Sequence, residues 1–358
     1  MFSLSAIITF LIVLGVLVFA HEFGHFIVAR MCGVQVQTFS LGFGPKIIAR
    51  KYGATEYCLS AIPLGGYVRL LGDDPKEEVG PEERGRSFLA QNLKKKIAIV
   101  VAGPLFNLLL ALFIFVGVFM VGVPSLTSDV GEVQEGSAAA LGGMKSGDRI
   151  VSIEGNPIAQ WEEIRETLQK SGGKELHFAV EREGIRVDLR ITPTLKETQD
   201  VLGDSHQLWL IGVLPKGSHV IKKYDPMTAA YMGAQRTWEM IALNVLGIFK
   251  LIAGKLPSDT IGGPILIAQM AGQQASEGLL NVVLFIAILS INLGIINLFP
   301  IPILDGGHLL FFIIEGVIGK PVSVKAREIA QQVGLFIIIS LMVFAFYNDI
   351  MRFFVKPG

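Results

Sequence analysis

The first twenty residues, Met1 to Ala20, carry no ionisable side chain, and the next five read His21-Glu22-Phe23-Gly24-His25. The apolar run resumes through Phe26-Ile27-Val28 to Arg30. At about 1.5 Å per residue, such a helix crosses the roughly 30 Å of a bilayer's hydrocarbon. The motif therefore lies within the membrane. An ionisable group at that depth costs a few kcal/mol at least, so it marks chemistry or transport more often than scaffolding. On a helix, residues i and i+4 share a face. His21 and His25 can thus offer imidazole nitrogens to one zinc ion, with Glu22 beside the open coordination position. The structural alternative is a chance motif of packed histidines at a helix end, and the apolar continuation beyond it argues against that.

Hydrophobic residues make up 51% of the 358-residue chain and charged residues 17%, with a mean hydropathy of +0.54. That is too apolar for an ordinary soluble domain and implies a polytopic membrane protein. Thirty-one basic residues balance thirty-one acidic ones, so net charge gives no reason to expect a nucleic-acid partner. Cys32 and Cys58 are too few for a disulfide framework or a cysteine zinc cluster. The N-terminal run lacks a basic start, and cleavage after Ala20 would sever the motif, so it reads as a retained span, not a signal peptide.

Four stretches, 2–29, 97–122, 279–300 and 331–347, are long and apolar enough to span. Arg30, Lys46, Arg50, Lys51, Arg69 and Lys94-Lys95-Lys96 lie between the first two; Lys320, Lys325 and Arg327 lie between the last two. By the positive-inside rule both connections face the cytoplasm and both termini lie outside, with the motif nearer the cytoplasmic edge. Residues 226–256 are interrupted by Arg236, Glu239, Lys250 and Lys255, and a span there would break this parity. They are expected as amphipathic helices on the outer surface. Residues 128–195 read as a small β-rich domain. Its strands are expected at 130–133, 149–153, 176–180 and 186–191, and its helix at 161–170.

The expected divisions are a first span with the motif (1–30), a cytoplasmic-side region with a re-entrant β-hairpin at 56–71 (31–93) and a second span (94–123). The β-rich domain (124–198), its amphipathic C-terminal region (199–256), a third span (257–308) and a cytoplasmic connection with a fourth span (309–358) follow.

Two histidines leave a catalytic zinc one protein ligand short. Asp305, in Asn297-Leu-Phe-Pro300-Ile-Pro302-Ile-Leu-Asp305-Gly306-Gly307, stands at matching depth at the cytoplasmic end of the third span. Pro300 and Pro302 stop the helix and the paired glycines permit close backbone approach, the kind of irregular chain that lines a protected cavity. Asp305 as a helix cap is the structural alternative, and His308 is a rival ligand. Zn²⁺ with ionised Asp305 and Glu22 sums to zero charge, which eases burial. With Glu22 as general base toward water in the fourth position, the reaction class is peptide-bond hydrolysis.

A transmembrane substrate helix must be held extended to be cut. The stretch Glu56 to Leu71, containing Gly65-Gly66, could offer an unpaired strand for this purpose, or be a surface hairpin with structural duties only. Asn107, Asn292 and Asn297 are candidates for binding substrate backbone or orienting ligands, and helix-to-helix hydrogen bonding is the alternative for each.

These features together resemble the site-2 protease family of zinc intramembrane metalloproteases, most closely its bacterial RseP-type members. The likeness rests on His21-Glu22-x-x-His25, Pro-Leu-Gly-Gly-Tyr-Val (63–68), Ala-Gly-Pro-x-x-Asn (102–107) and Asn-Leu-Phe-Pro-Ile-Pro-Ile-Leu-Asp-Gly-Gly-His (297–308). It implies zinc held by His21, His25 and Asp305, Glu22 as catalytic acid and base, and a β-rich insert that is a PDZ domain facing the periplasm. The fold class is then a four-span α-helical membrane protein with a membrane-associated β-hairpin region and an inserted PDZ domain, in a bacterial inner membrane. Implied substrates are membrane-anchored anti-sigma factors and remnant signal peptides, first trimmed by an upstream site-1 type protease. The chain departs from the family in having room for a single PDZ domain and in lacking a clear Gly-Leu-Gly-Phe-type carboxylate loop. A zinc transporter, which needs further ligands along a path across the bilayer, and a catalytically silent PDZ adapter are the rival classes.

Overall fold

The computed structural model describes residues 4–74, 77–200 and 202–355. It divides into two compact units, one formed by Met1–Gly117 with Ala229–Gly358 and the other by Val118–Thr228.

The chain opens with α1 (Leu4–Met31), which carries the motif in its last third, and continues into β1 (Val36–Tyr52), β2 (Thr55–Leu70) and α2 (Leu93–Val121). The hairpin turns at Gly53, whose φ of 61° is left-handed and cheap only for glycine. The expected 56–71 hairpin is thus only the second arm of a longer one whose first arm starts at Val36. The first part of β1 is flanked on both sides by β2: Phe39 is opposite both Val68 and Tyr57, and Ser40 opposite both Tyr67 and Cys58. The stretch Gly66–Leu70 is thereby left as an edge.

The second unit contains β3 (Val123–Leu126), β4 (Val130–Val133), α3 (Ala138–Leu141), β5 (Arg149–Ile153), β6 (Asn156–Pro157) and α4 (Trp161–Ser171). Then come β7 (Leu176–Arg182), β8 (Ile185–Ile191), β9 (Thr194–Gln199), β10 (Ser205–Leu210), β11 (Val213–Pro215) and β12 (His219–Lys222). A four-stranded sheet of order β6-β5-β7-β8 packs Ile150, Ile153, Phe178, Val180 and Ile191 against Ile164 and Leu168 of α4. Helix α4 starts with a capping box between Gln160 and Glu163. The four strands and the helix read from periodicity are all present. The unit extends beyond 128–195, however, because β3 pairs with β12 and β4 with β11. These outer strands are short, and β9 is largely exposed, so they leave little hydrophobic alternation to read.

The remaining helices are α5 (Pro226–Ile252), which belongs to the first unit from Ala229 onward, α6 (Pro264–Glu277), α7 (Leu279–Asn297), α8 (Asp305–Ile318) and α9 (Val324–Val355). Among the described residues four helical stretches are long and apolar enough to cross a membrane: Leu4–Met31, Leu93–Val121, Leu279–Asn297 and Val324–Arg352. They coincide with the four expected spans. Helix α5, interrupted by Arg236, Glu239 and Lys250, is not among them, and is one continuous helix. Pro300 and Pro302 follow the end of α7, and the chain restarts as α8 at Asp305.

Two apolar clusters build this unit. Phe26 and Ala29 of α1, Phe39, Leu70, Ile99 of α2 and Phe312 of α8 form one; Val13 and Leu17 of α1, Ala271 of α6 and Phe285 of α7 form the other. The N-terminus of α6 is held by Asp349 of α9, which accepts from the backbone N–H of Gly263 (2.8 Å), Ile265 (3.0 Å) and Leu266 (3.1 Å).

Candidate active site and metal centre

Helical spacing puts His21 and His25 on one face of α1, and the first turn of α8 brings Asp305 to them. Asp305 Oδ2 lies 3.1 Å from His21 Nε2 and 3.5 Å from His25 Nε2, and the two Nε2 atoms are 3.2 Å apart. Bonds of about 2.0–2.1 Å to a tetrahedral zinc ion give ligand-to-ligand edges of roughly 3.3 Å. The triangle therefore has the dimensions of three corners of a zinc tetrahedron. Asp305 Oδ2 is also buried without a hydrogen-bond partner among the described residues, an arrangement that fits a cation better than an isolated carboxylate.

The far nitrogens of both imidazoles are engaged. His25 Nδ1 is 2.8 Å from the carbonyl oxygen of Ile99 in α2, and since a carbonyl only accepts, Nδ1 carries the proton and Nε2 is left as the lone pair. His21 Nδ1 lies 3.2 Å from the Asn107 amide and 3.5 Å from that of Asn297. With Nε2 turned toward Asp305, His21 Nδ1 needs an acceptor. Asn107 Oδ1, buried without a partner among the described residues, becomes that acceptor when the amide is turned over. Asn107 is 0% exposed, and its backbone carbonyl accepts from Ser290 Oγ of α7 at 2.7 Å.

Glycines make this crossing possible. A Cβ at Gly24 would collide with the Ala102 carbonyl oxygen, and one at Gly103 with His25 Nε2. A Cβ at Gly306 or Gly307 would run into the carbonyls of Phe299 or Ile301. The sequence displays these residues, but nothing local in it says that Gly24 and Ala102 meet. Near Glu22, a Cβ on Gly66 would come within 3.0 Å of Glu22 Cγ, 2.9 Å of Val18 Cγ1 and 2.7 Å of the Ser40 carbonyl oxygen. Gly66 therefore brings the β2 edge up to the general-base candidate. Gly65, with φ of 144°, faces Phe43 instead.

The remaining expected residues are dispersed. Asn292 has a buried Oδ1 with no partner among the described residues and, unlike Asn107 and Asn297, no hydrogen bond to His21. Pro300 and Pro302 form the bend before α8, and Pro302 packs beneath Gly307. His308 is outside the ligand triangle and lines a separate cavity of about 390 Å³ with Asp73, Phe312 and Arg327. The other metal-capable group among the described residues, Asp200, Asp204 and His206, lies around the β9–β10 turn and not in a span.

The family model for Peptidase family M50 matches residues 9–341, a stretch that contains both histidines, Glu22 and Asp305. The chain belongs to peptidase family M50. This peptidase is 38% identical over 357 residues to a Rhizobium meliloti protein named as a zinc metalloprotease, covering 96% of this chain and 95% of that one. A similarly named Agrobacterium fabrum protein is 38% identical over 364 residues, covering 98% and 96%. The regulator of sigma-E protease RseP of Salmonella typhimurium is 33% identical over 441 residues, covering 96% and 98%, and is longer than the 358 residues here. The M50 chain is accordingly a zinc-dependent metalloendopeptidase of the site-2 type. Neither the transporter nor the silent adapter is favoured.

Proposed function

We propose that this peptidase cuts peptide bonds inside transmembrane segments at a zinc ion held by His21 Nε2, His25 Nε2 and Asp305 Oδ2. The carrying observation is the convergence of these three atoms, from the first span and the start of α8, at separations of 3.1 to 3.5 Å. When bound, zinc acts as a Lewis acid toward the scissile carbonyl. The Glu22 carboxylate takes the proton of the attacking water and delivers it to the leaving amine nitrogen. Ile99 and Asn107 keep the imidazoles in the orientation that exposes Nε2. With zinc in place, ionised Glu22 and Asp305 bring the buried site to neutrality, which limits its desolvation cost.

The substrate is held extended along Gly66–Leu70, whose inner side is paired to Val36–Leu41 and whose outer side is an edge. Gly66 lets that edge lie against Glu22, so an added strand passes the general base. Asn292, Asn297, Pro300 and Pro302, at the end of α7 and in the bend before α8, are the further candidates for contact with the substrate. Both connections rich in Lys and Arg face the cytoplasm, and both termini and the Val118–Thr228 unit lie outside. That unit serves as a single PDZ-type filter that holds back substrates with untrimmed outer domains. The name of the Salmonella relative supports substrates of the anti-sigma-factor class, with remnant signal peptides as a second source and an upstream protease making the first cut.

The test is zinc content and cleavage of a model transmembrane peptide by the purified enzyme and its Asp305→Ala variant. Loss of both is expected. Retention of stoichiometric zinc by the variant would remove Asp305 from the ligand set.

A further inference from the structure

A second site lies at the opposite end of the hairpin from Gly66. A cavity of about 310 Å³ opens between the end of α1 and the β1–β2 turn, lined by Arg30, Gln35, Tyr52, Thr55 and Arg86 together with glycine, alanine and valine, and, among the described residues, by no carboxylate. Its cations are poorly neutralised. The Arg30 guanidinium stacks over the Phe26 ring at 5.5 Å and, among the described residues, makes no hydrogen bond or ion pair. Among the described residues the Arg86 guanidinium has a single ion-pair partner, Glu83, at 3.9 Å with both side chains largely exposed, a pairing worth little. Lys95 Nζ donates to the Cys32 carbonyl at 2.8 Å, adding positive charge beside Gly33.

The walls are preorganised. Val34 N–H donates to the Ala29 carbonyl at 2.9 Å, Gln35 N–H to the Arg86 carbonyl at 3.0 Å, and Leu71 N–H to the Gln35 carbonyl at 2.9 Å. Thr55 Oγ1 donates to the Val36 carbonyl at 2.8 Å. The Ala29 carbonyl at the α1 terminus is thereby given a donor, and the negative end of the α1 dipole, which by itself disfavours an anion, is offset by the positive charges of Arg30, Arg86 and Lys95. Around the opening, Met31 and Tyr52 are each 79% exposed, and Ile48 is 61% exposed on the adjoining arm. The cavity thus pairs two guanidinium forks with an apolar rim. Its volume is at the lower end of ligand sites, about 300 to 1,000 Å³.

We propose that this cavity binds a phosphate ester, gripped by Arg30 and Arg86, and that its source is the headgroup of an anionic phospholipid at the leaflet where α1 ends. A guanidinium fork matches phosphate oxygens two at a time, which a lysine ammonium does not. Basic pockets at the ends of spans are suited to anionic headgroups, whose acyl chains here run past Met31, Ile48 and Tyr52. A lipid so bound pins the hairpin tip to the bilayer surface. The proposal rests on α1 being a span and is independent of the ligand set at zinc.

The test is native mass spectrometry and thermal unfolding of the full-length protein in neutral detergent, with phosphatidylglycerol, phosphatidylcholine or inorganic phosphate. Wild type is expected to retain phosphatidylglycerol over phosphatidylcholine, and the Arg30→Gln/Arg86→Gln double variant to lose about tenfold in that retention, one good charged contact pair. Its zinc content should be unchanged, which shows the fold is intact. Arg30→Lys/Arg86→Lys should recover only part of the binding. Equal retention by wild type and the glutamine variant, or none by wild type, overturns the site. Stabilisation by inorganic phosphate alone, abolished in the glutamine variant, keeps the anion chemistry but overturns the lipid source.

Discussion

His25 Nδ1 lies 2.8 Å from the carbonyl oxygen of Ile99, and one turn further along α2 Gly103 leaves only a hydrogen where a methyl group would strike His25 Nε2. One helix thus both orients the imidazole and makes space for it. The metal centre is assembled as much by the backbone of α2 as by the motif in α1.

Gly103→Ala is the direct probe of that relationship. Its Cβ would also come within 2.9 Å of His21 Cε1, so neither ring could stay in place. We expect zinc affinity to fall by about 100-fold, the upper end of what disturbed ligand orientation costs, and cleavage to fall with it. Full zinc loading at equimolar metal would show that the rings can shift freely, contrary to this packing.

Asn107→Ala removes the buried group closest to His21 Nδ1. Zinc affinity measured by chelator competition should drop about tenfold to 100-fold, with the protein still folded. An unchanged affinity would reduce Asn107 to a contact between helices.

Glu22→Gln keeps the shape of the side chain and removes its basicity. Zinc content should equal wild type while turnover of a transmembrane peptide falls by at least about 10²-fold to 10⁴-fold, the usual contribution of a positioned general base. Measurable wild-type turnover in that variant would assign the proton transfer elsewhere.

The Val118–Thr228 unit carries its own pH dependence at Asp148, whose side chain is 0% exposed. Burial pushes its carboxyl up, but hydrogen bonds from Arg182 Nε at 2.7 Å, Arg182 Nη2 at 2.8 Å and the Lys145 N–H at 2.8 Å hold it below the ordinary aspartate value. Because the folded-state pKa is the lower one, the stabilisation is fully present above the unfolded value of about 3.9 and disappears as pH falls through the folded value. Asp148→Asn should therefore destabilise the unit at neutral pH, by about 3 kcal/mol if the loss resembles breaking a buried pair, and flatten its acid limb. Hydrogen exchange at β7 in the intact protein, compared at several pH values, reads both effects. An acid limb as steep as in wild type would contradict the assignment.

Asp349→Ala strips three acceptor contacts from the start of α6. Each buried donor left alone costs about 1–3 kcal/mol. Amide exchange at Gly263, Ile265 and Leu266 should accelerate by more than tenfold, while Asp349→Asn, which retains an acceptor oxygen, should show a smaller change. Exchange unaltered in both variants would mean the α6 terminus is held by other groups.

What the sequence determined by itself was everything set by near neighbours along the chain: the four helices long and apolar enough to cross a membrane, from continuous apolar length, and the pairing of His21 with His25, from the helical repeat. Asp305 was reached through its prolines and glycines and its matching depth, and strands β4, β5, β7 and β8 through alternation. Tertiary structure alone decided which groups meet. The first arm of the hairpin from Val36, the outer strands β3 and β9–β12, the service of Ile99 and Asn107 to the two imidazoles, the Gly24–Ala102 crossing and the Asp349 clamp all depend on partners distant in sequence. Hydrophobic periodicity records how a segment faces its surroundings, but it carries no information about which other segment those surroundings will be. That choice is made when α1, α2 and α8 pack closely enough for a single Cβ to matter.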